Sequence, residues 1–302
     1  MKQRAQIRML ADGRRLHLHD GPIDLIVEAF GAPCAIEAAY HAAGARFVTV
    51  LDELCGELWY LRRRCSPENE WPQGAVARRM VAAVMPYAPQ YFITPMAAVA
   101  GAVAEEILAA MVAVVELSSA YVNDGGDIAL HLSPGEKFVV GMVAGMEPRL
   151  ERPSLLGTTT VHESDPVRGI ATSGWRGRSF SLGIADAVTV LADRAAAADA
   201  AATIIANQVD LPGHPAIVRV PACELAPDSD LGDRLVTQAV GELISPEIQH
   251  ALEVGSRTAD LLLRMGLIRS AALSLQGETR VVGDIGESRI VTPQGERGYV
   301  HA

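Results

Sequence analysis

The chain has 302 residues, 49% of them hydrophobic and 21% charged, which is the composition of a globular protein with a sizeable core. Its net charge of -10 excludes a protein that coats nucleic acid, because neutralising phosphates requires a basic face. The N-terminal sequence lacks the apolar segment of a secretory signal, and the apolar stretches are shorter than the roughly 20 residues of a membrane span. The sequence therefore predicts a cytoplasmic protein with no membrane and no nucleic-acid partner.

The first ninety residues predict a hairpin followed by helices. Residues 4–19 alternate apolar and polar side chains around an Asp-Gly turn, which is typical of two antiparallel strands. Apolar residues then recur at spacings of three and four over 32–63, which predicts a helix with Gly44 as a point where it could divide in two. Further helices are predicted over 75–85 and after Thr94-Pro95, with Thr94 as the N-cap.

The second half changes character. Short alternating runs separated by turns of small residues predict successive strands from about residue 120 to 192, and an Ala-rich helix is predicted over 195–207. The proline-containing segment 209–228 is predicted to be mostly irregular, helices are predicted over 231–243 and 251–265, and two strands follow. Together these elements predict one α+β domain over residues 1–285 with mixed or antiparallel sheets, and a flexible tail over 286–302.

A glycine pair joins two of the predicted strands. In the segment Asn123–Asp127, Gly125 and Gly126 precede Asp127. Adjacent glycines accept positive φ and let the backbone approach a ligand, with polar groups on both sides to contact it. A tight hairpin turn explains the same residues without any ligand, and on spacing alone this alternative is at least as good.

A second candidate segment combines hydroxyl, amide and guanidinium groups. Such a combination fits a diphosphate cradle, with an indole that can stack on a ring system. The alternative is a strand that ends in a basic surface loop, and the two interpretations stay open. The residues concerned are Thr172, Ser173, Gly174, Trp175, Arg176 and Arg178.

A third candidate lies on the predicted Ala-rich helix. Asp199 and Thr203 are four residues apart, so they share one face of a helix, and small residues around them let another backbone approach. A carboxylate and a hydroxyl are hard oxygen ligands of the kind that Mg²⁺ takes when it also bridges phosphates. The alternative is that Asp199 is a first-turn residue that the helix dipole favours.

The order of these three segments resembles the ApbE-like superfamily, the FAD:protein FMN transferases, over roughly residues 94–275 with an insertion at 209–248. The segment SFSLGIADAVTVLA, at residues 179–192, is similar to one branch of that superfamily. The resemblance implies a T-fold-like architecture, a homo-oligomer such as a dimer, bound FAD or FMN, and Mg²⁺ held by Asp199 and Thr203. It also implies that Gly125 and Gly126 approach the flavin and that Arg176 or Arg178 holds phosphate oxygens.

Two departures from the family pattern bear on activity. The lysine of the family's Lys-Gly pair is replaced by Ala100, and the histidine-bearing segment is replaced by residues 181–186. Asp186 is then the nearest candidate base for an Mg²⁺-dependent FMN transferase or FAD diphosphatase. The alternatives are a non-catalytic accessory protein, with a role in sulfur and homocysteine metabolism, and a T-fold-like binder of another planar heterocycle such as a pterin or purine.

Overall fold

The computed structural model describes residues 4–147, 152–284 and 289–290. Within these residues it has seven α-helices and fourteen β-strands. The helices are α1 (Pro33–Gly56), α2 (Leu58–Leu61), α3 (Ala75–Val84), α4 (Val99–Val112), α5 (Ala195–Gln208), α6 (Ala222–Leu225) and α7 (Ser245–Arg264). The strands are β1 (Gln6–Met9), β2 (Leu16–Asp20), β3 (Ile23–Phe30), β4 (Ser119–Asp124), β5 (Asp127–Leu132), β6 (Lys137–Glu147), β7 (Arg152–His162), β8 (Gly169–Ser173), β9 (Ala187–Ala192), β10 (Ile217–Pro221), β11 (Leu235–Val240), β12 (Ser270–Leu275), β13 (Glu278–Gly283) and β14 (Arg289–Ile290). The predicted α+β class with antiparallel strands is confirmed, whereas the T-fold-like arrangement stays a prediction.

The chain divides into two compact units. The first is drawn from Met1–Lys137, His162–Ala171 and Ala192–Ala200, and the second from Phe138–Val161, Thr172–Leu191 and Ala201–Ala302.

In the first unit, strands follow the order β1, β2, β3, β4, β5 and β8, and their registered pairs are antiparallel. Residues of β2 alternate between buried and partly exposed, with Leu16 and Leu18 on the buried side. This alternation is what a strand with one face against a core shows. By contrast, β4 is buried along its whole length, so the turn that follows Asp124 extends from the centre of the sheet.

Helix α1 continues through Gly44 and ends at Gly56, so the predicted division at Gly44 does not occur. A Cβ atom added at Gly44 would lie 3.1 Å from Cδ1 of Ile7 on β1. Glycine at this position therefore allows the strand to pack closely against the helix. The presence of Gly44 is therefore explained by this tertiary contact and not by a break in the helix.

The helix at the centre of the first unit is α4, which follows a 3₁₀ turn over Pro95–Ala98. The side chain of Thr94 makes no capping hydrogen bond, so that part of the prediction is wrong. Pro95–Val112 is long and apolar enough, by length and composition alone, to cross a membrane, and half of it is buried inside the protein. Because α4 contacts α1, α3, β4 and β5, we interpret it as the core helix of this unit.

In the second unit, β9, β12 and β13 are neighbours in that order, and β12 is buried along its length. Helix α7 packs on β12 and β13. It begins at Ser245, six residues before the predicted start at Ala251. The side chain of Glu247 accepts a hydrogen bond from the backbone N–H of Ile244 at 3.0 Å, which satisfies one donor at the helix start.

One prediction within the insertion at 209–248 is wrong. Residues 231–243 contain β11 instead of the predicted helix, whereas residues 209–228 are mostly irregular, as predicted, apart from the short elements β10 and α6. Strands β10 and β11 pair with each other, and the backbone N–H of Thr237 donates to the carbonyl of Ser181 at 2.9 Å. Ser181 is distant from Thr237 in sequence, so the local spacing of apolar residues could not indicate this contact and wrongly predicted a helix.

Most of the predicted tail, residues 286–302, lies outside the described residues. The exception is β14, where Arg289 pairs with Thr158 and Ile290 with Gly157 of β7. Strands β14, β7 and β6 form a three-stranded sheet in that order.

Candidate functional site

The glycine pair is the two-residue loop of the β4–β5 hairpin. Gly125 and Gly126 have φ values of 64° and 115°, which glycine adopts without steric cost. The side chain of Asn123 accepts a hydrogen bond from the N–H of Gly126 at 2.8 Å, and Asp124 is paired in register with Asp127. The hairpin alternative is therefore confirmed, and a ligand contact at these glycines stays a prediction.

The carboxylate of Asp199 lies at the N-terminus of α4. Its Oδ2 accepts a hydrogen bond from the N–H of Gly101 at 3.1 Å, and the N–H of Ala100 interacts with the same carboxylate. The first N–H groups of a helix have no partner within the helix, so Asp199 supplies the cap that Thr94 does not. Asp199 is the fifth residue of α5, not a first-turn residue, so the alternative based on the dipole of its own helix is wrong.

A second acid lies near Asp199 in the same unit. The pKa of Asp199 is raised to about 7, chiefly by burial, with a smaller contribution from the charge of Asp124 and with the hydrogen bond from the N–H of Gly101 opposing the change. Asp124 is the last residue of β4 and is 6% exposed, whereas Asp199 is partly exposed. The structure thus brings a partly accessible carboxyl group close to a buried one, beside the positive end of a helix.

Helices α4 and α5 cap each other. Glu105, on the second turn of α4, accepts a hydrogen bond through Oε1 from the N–H of Ala196 at 2.8 Å. Burial raises the pKa of Glu105, and this hydrogen bond opposes the change. The helices approach closely at Gly101, where an added Cβ would lie 2.4 Å from the carbonyl oxygen of Ala195. Because each helix satisfies N–H groups of the other, the position of Asp199 is strongly determined.

Thr203 lies one turn after Asp199 on α5 and is partly exposed. Among the described residues, no group of three or more histidine, cysteine, aspartate and glutamate side chains is placed to hold a metal ion. A cation at Asp199 would therefore need oxygen ligands from other sources.

The Thr172–Arg178 segment begins at the end of β8 and belongs to the second unit. The hydroxyl groups of Thr172 and Thr189 share a hydrogen bond of 2.9 Å. A Cβ added at Gly174 would lie 2.4 Å from the carbonyl oxygen of Asp186, so only glycine allows this approach. The guanidinium of Arg176 lies 4.6 Å from the centre of the Trp175 ring, which is a cation–π contact.

Asp186 organises this segment. Its Oδ1 accepts hydrogen bonds from Nε of Arg176 at 2.8 Å and from Nε1 of Trp175 at 3.2 Å. Its Oδ2 accepts one from the backbone N–H of Gln276 at 2.6 Å. The side chain is only 12% exposed. Both carboxylate oxygens accept hydrogen bonds, so the geometry supports a structural role in which Asp186 holds Arg176, Trp175 and Gln276 together. Its role as a base stays a prediction.

Removing the Asp186 carboxylate should loosen the segment that carries Trp175. We expect Asp186→Ala to lower the free energy of unfolding by about 1.5 kcal/mol, since three donors lose their acceptor and two of them can turn to water. Tryptophan emission should shift to longer wavelength as Trp175 becomes more exposed. The matched control is Asp260→Ala, which removes an exposed carboxylate on α7; equal effects of the two substitutions would contradict the role of Asp186.

The candidate residues fall into both units. Gly125, Gly126, Asp127 and Asp199 belong to the first, whereas Thr203, Asp186 and the residues of the Thr172–Arg178 segment belong to the second. Sequence reasoning missed Asp124, Glu105 and Gln276. Asp124 directly precedes the glycine pair and could have been noticed there. Glu105 and the backbone of Gln276 act on partners more than 85 residues away, so no local pattern indicates them.

The fold and the mutually capped helices define an α+β protein with an acidic centre at the start of its core helix. A family model described as "AbpE bacteria" matches residues 7–281, and the chain belongs to this ApbE-related family.

Several curated relatives, each named as a UPF0280 protein, are similar to the chain. A UPF0280 protein of Methanosarcina acetivorans is 34% identical over 191 residues, which are 62% of this chain and 70% of the relative. A UPF0280 protein of Methanothermobacter thermautotrophicus is 39% identical over 152 residues, covering 50% of this chain and 56% of the relative. One from Methanothrix thermoacetophila is 38% identical over 122 residues, covering 39% and 47%. For the last two, the match spans about half of the relative's length.

Proposed function

We propose that the protein binds a flavin nucleotide, FAD or FMN, together with Mg²⁺. The observation that carries the proposal is the carboxylate of Asp199, which is partly exposed, is held at the N-terminus of α4 and lies near a second acid, Asp124. The family whose model matches residues 7–281 carries the ApbE-related name, which supports a flavin as the ligand.

The donor set fits Mg²⁺ that is shared with a nucleotide. Mg²⁺ usually keeps several waters and takes one or two carboxylates together with phosphate oxygens, so it does not need a cage made only of protein side chains. Asp199 and Thr203 would supply one carboxylate and one hydroxyl oxygen. A cation at Asp199 would also offset the unfavourable interaction between the charges of Asp199 and Asp124.

The Thr172–Arg178 segment supports the nucleotide part of the proposal. Trp175 offers an aromatic face, Arg178 is exposed, and Arg176 is held against the Trp175 ring. Guanidinium groups and backbone amides suit phosphate oxygens, and an indole suits a ring system. Within the second unit, we propose that Thr172, Ser173, Gly174 and Arg178 donate hydrogen bonds to phosphate oxygens of a nucleotide.

Binding without flavin transfer is the version we favour. Ala100 stands where the family pattern has a lysine, and both oxygens of Asp186 already accept hydrogen bonds. The chain's own residues then bind and orient the nucleotide, and the bound metal ion would neutralise phosphate charge. The dimeric state and the cytoplasmic location belong to the same proposal.

Titration of the full chain with FAD and with FMN tests the proposal. We expect saturable quenching of flavin fluorescence and a calorimetric signal in MgCl₂, and about tenfold weaker binding in EDTA. Asp199→Asn should abolish the difference between MgCl₂ and EDTA, whereas Asp260→Asn, an exposed acid on α7, should leave it unchanged. The absence of saturable binding to either flavin in MgCl₂ would refute the proposal.

Product analysis distinguishes binding from catalysis. After incubation with FAD and Mg²⁺, we expect unchanged FAD by chromatography. Release of FMN and AMP in equal amounts would show diphosphatase activity and overturn the version without catalysis, while leaving flavin binding in place.

A further inference from the structure

A groove of about 360 Å³ lies in the first unit, along one face of α4 beside β5 and the start of α5. Its apolar part includes Leu108, Ala109 and Val112 of α4. Pockets for small molecules typically start at roughly 300 Å³, so the groove has room for a small ligand. None of the residues that line it is among those assigned above to the flavin or to Mg²⁺.

Three arginines line the groove, and one of them is neutralised. Nε and Nη2 of Arg79 donate to Oε2 of Glu106 at 3.1 and 3.0 Å, and Nη1 lies 3.6 Å from Oε2 of Glu105. Arg79 therefore belongs to an ion-pair network that joins α3 to α4, and its charge is balanced within the unit.

The other two arginines have no carboxylate within ion-pair distance in the described part of the chain. The guanidinium of Arg168 donates only to carbonyl oxygens, those of Glu163, Asp165 and Val167. Arg194 is exposed and makes no side-chain hydrogen bond to another described residue. In a protein with a net charge of -10, two guanidinium charges that lack such partners and line one groove are unusual.

The backbone holds these two arginines near each other. The N–H of Arg168 donates to the carbonyl of Ala192 at 3.0 Å. At Gly169, an added Cβ would lie 2.0 Å from the carbonyl carbon of Arg194, so the two chain segments are in direct contact there. Both guanidinium groups therefore start from backbone positions that are fixed against each other, next to the positive end of α5.

The acids of the groove, Glu105 and Asp193, form no ion pair with Arg168 or Arg194. Oε1 of Glu105 is engaged by the N–H of Ala196, and burial raises the pKa of Glu105 although the charges of Arg79 and Arg194 oppose the change. Asp193 is exposed to water, where its charge is screened. The remaining titratable group, His131, has Nε2 at 3.3 Å from the carbonyl of Leu117.

The geometry points to a second ligand site in this groove, for a small organic anion. Its phosphate or carboxylate head is held by Arg194 and Arg168, because a guanidinium group matches an oxyanion with two parallel hydrogen bonds. Its short apolar body covers Leu108, Ala109 and Val112.

Calorimetric titration at low ionic strength tests the site, with sodium hexanoate and hexyl phosphate as probes. We expect saturable binding of one or both to the wild-type chain, about tenfold weaker in Arg194→Ala. The comparison of the two probes identifies the preferred head group. The matched control is Arg64→Ala, which removes an exposed arginine outside the groove and leaves binding unchanged.

A second variant tests the location without changing charge. Ala109→Phe on the open face of α4 fills the apolar part and should abolish binding of both probes while circular dichroism stays unchanged. Equal binding by wild type and Arg194→Ala, or no saturable binding of either probe to wild type, would overturn the inference. Neither outcome affects the flavin proposal, because the two sets of residues do not overlap.

Discussion

Replacing Gly101 by alanine is expected to lower the free energy of unfolding by about 3 kcal/mol. The added Cβ would lie 2.4 Å from the carbonyl oxygen of Ala195 and 2.7 Å from the nitrogen of Ala196. Both are backbone atoms, so they cannot move aside as a flexible side chain would. The better helix propensity of alanine, about 1 kcal/mol, offsets only part of this cost.

Urea denaturation followed by circular dichroism measures the effect, and Gly56→Ala provides the comparison. Gly56 is the last residue of α1, and an added Cβ there meets no atom within 4 Å. We expect Gly56→Ala to leave the stability unchanged or to raise it slightly. If the two substitutions changed the stability equally, the close approach of α4 and α5 at Gly101 would be wrong.

The second large effect concerns Asp199, whose pKa is raised to about 7 by burial and by the charge of Asp124. An acid whose pKa is higher in the folded state than in the unfolded state binds protons more tightly when folded. Its contribution to stability is therefore complete below the unfolded pKa, near 4, and is lost as the pH rises through about 7. Without a divalent cation, Asp199→Asn should match wild type below pH 4.

Above pH 7, Asp199→Asn should be more stable than wild type by on the order of 2 kcal/mol, because asparagine keeps an oxygen for the cap and carries no charge. Partial exposure of Asp199 keeps the difference below the value for a fully buried group. Thermal denaturation in EDTA from pH 4 to pH 8 measures it, with Asp260→Asn as the charge-matched control. A constant difference between Asp199→Asn and wild type across this range would contradict the raised pKa.

The structure of each candidate segment could be predicted where it depends on neighbours in sequence. The Gly125-Gly126 hairpin follows from adjacent glycines between two alternating runs, and α5 follows from its alanine content. What could not be predicted depends on distant partners. Asp199 caps a helix 98 residues earlier in the chain, and Oδ2 of Asp186 accepts its hydrogen bond from Gln276, 90 residues later.

The misassigned segment 231–243 shows the same limit in the fold. The spacing of its apolar residues suits a helix, yet residues 235–240 form a strand that pairs with β10. The backbone N–H of Thr237 in this strand donates a hydrogen bond to the carbonyl of Ser181. Strand pairing of this kind gains its stability from cross-strand and buried contacts, which the local sequence does not display. The partial exposure of Asp199 and its proximity to Asp124 also depend on how β4, α4 and α5 pack together, so the sequence could not predict them.

The mutual caps of α4 and α5 also have a consequence for biosynthesis. A ribosome adds residues from the N-terminus at about 5–20 per second, so Gly101 is made several seconds or more before Asp199. Until then the N–H group of Gly101 lacks the carboxylate that accepts its hydrogen bond in the folded chain. A nascent chain that ends before residue 195 can form neither cap, so the mutual capping of the two helices belongs to the later part of synthesis.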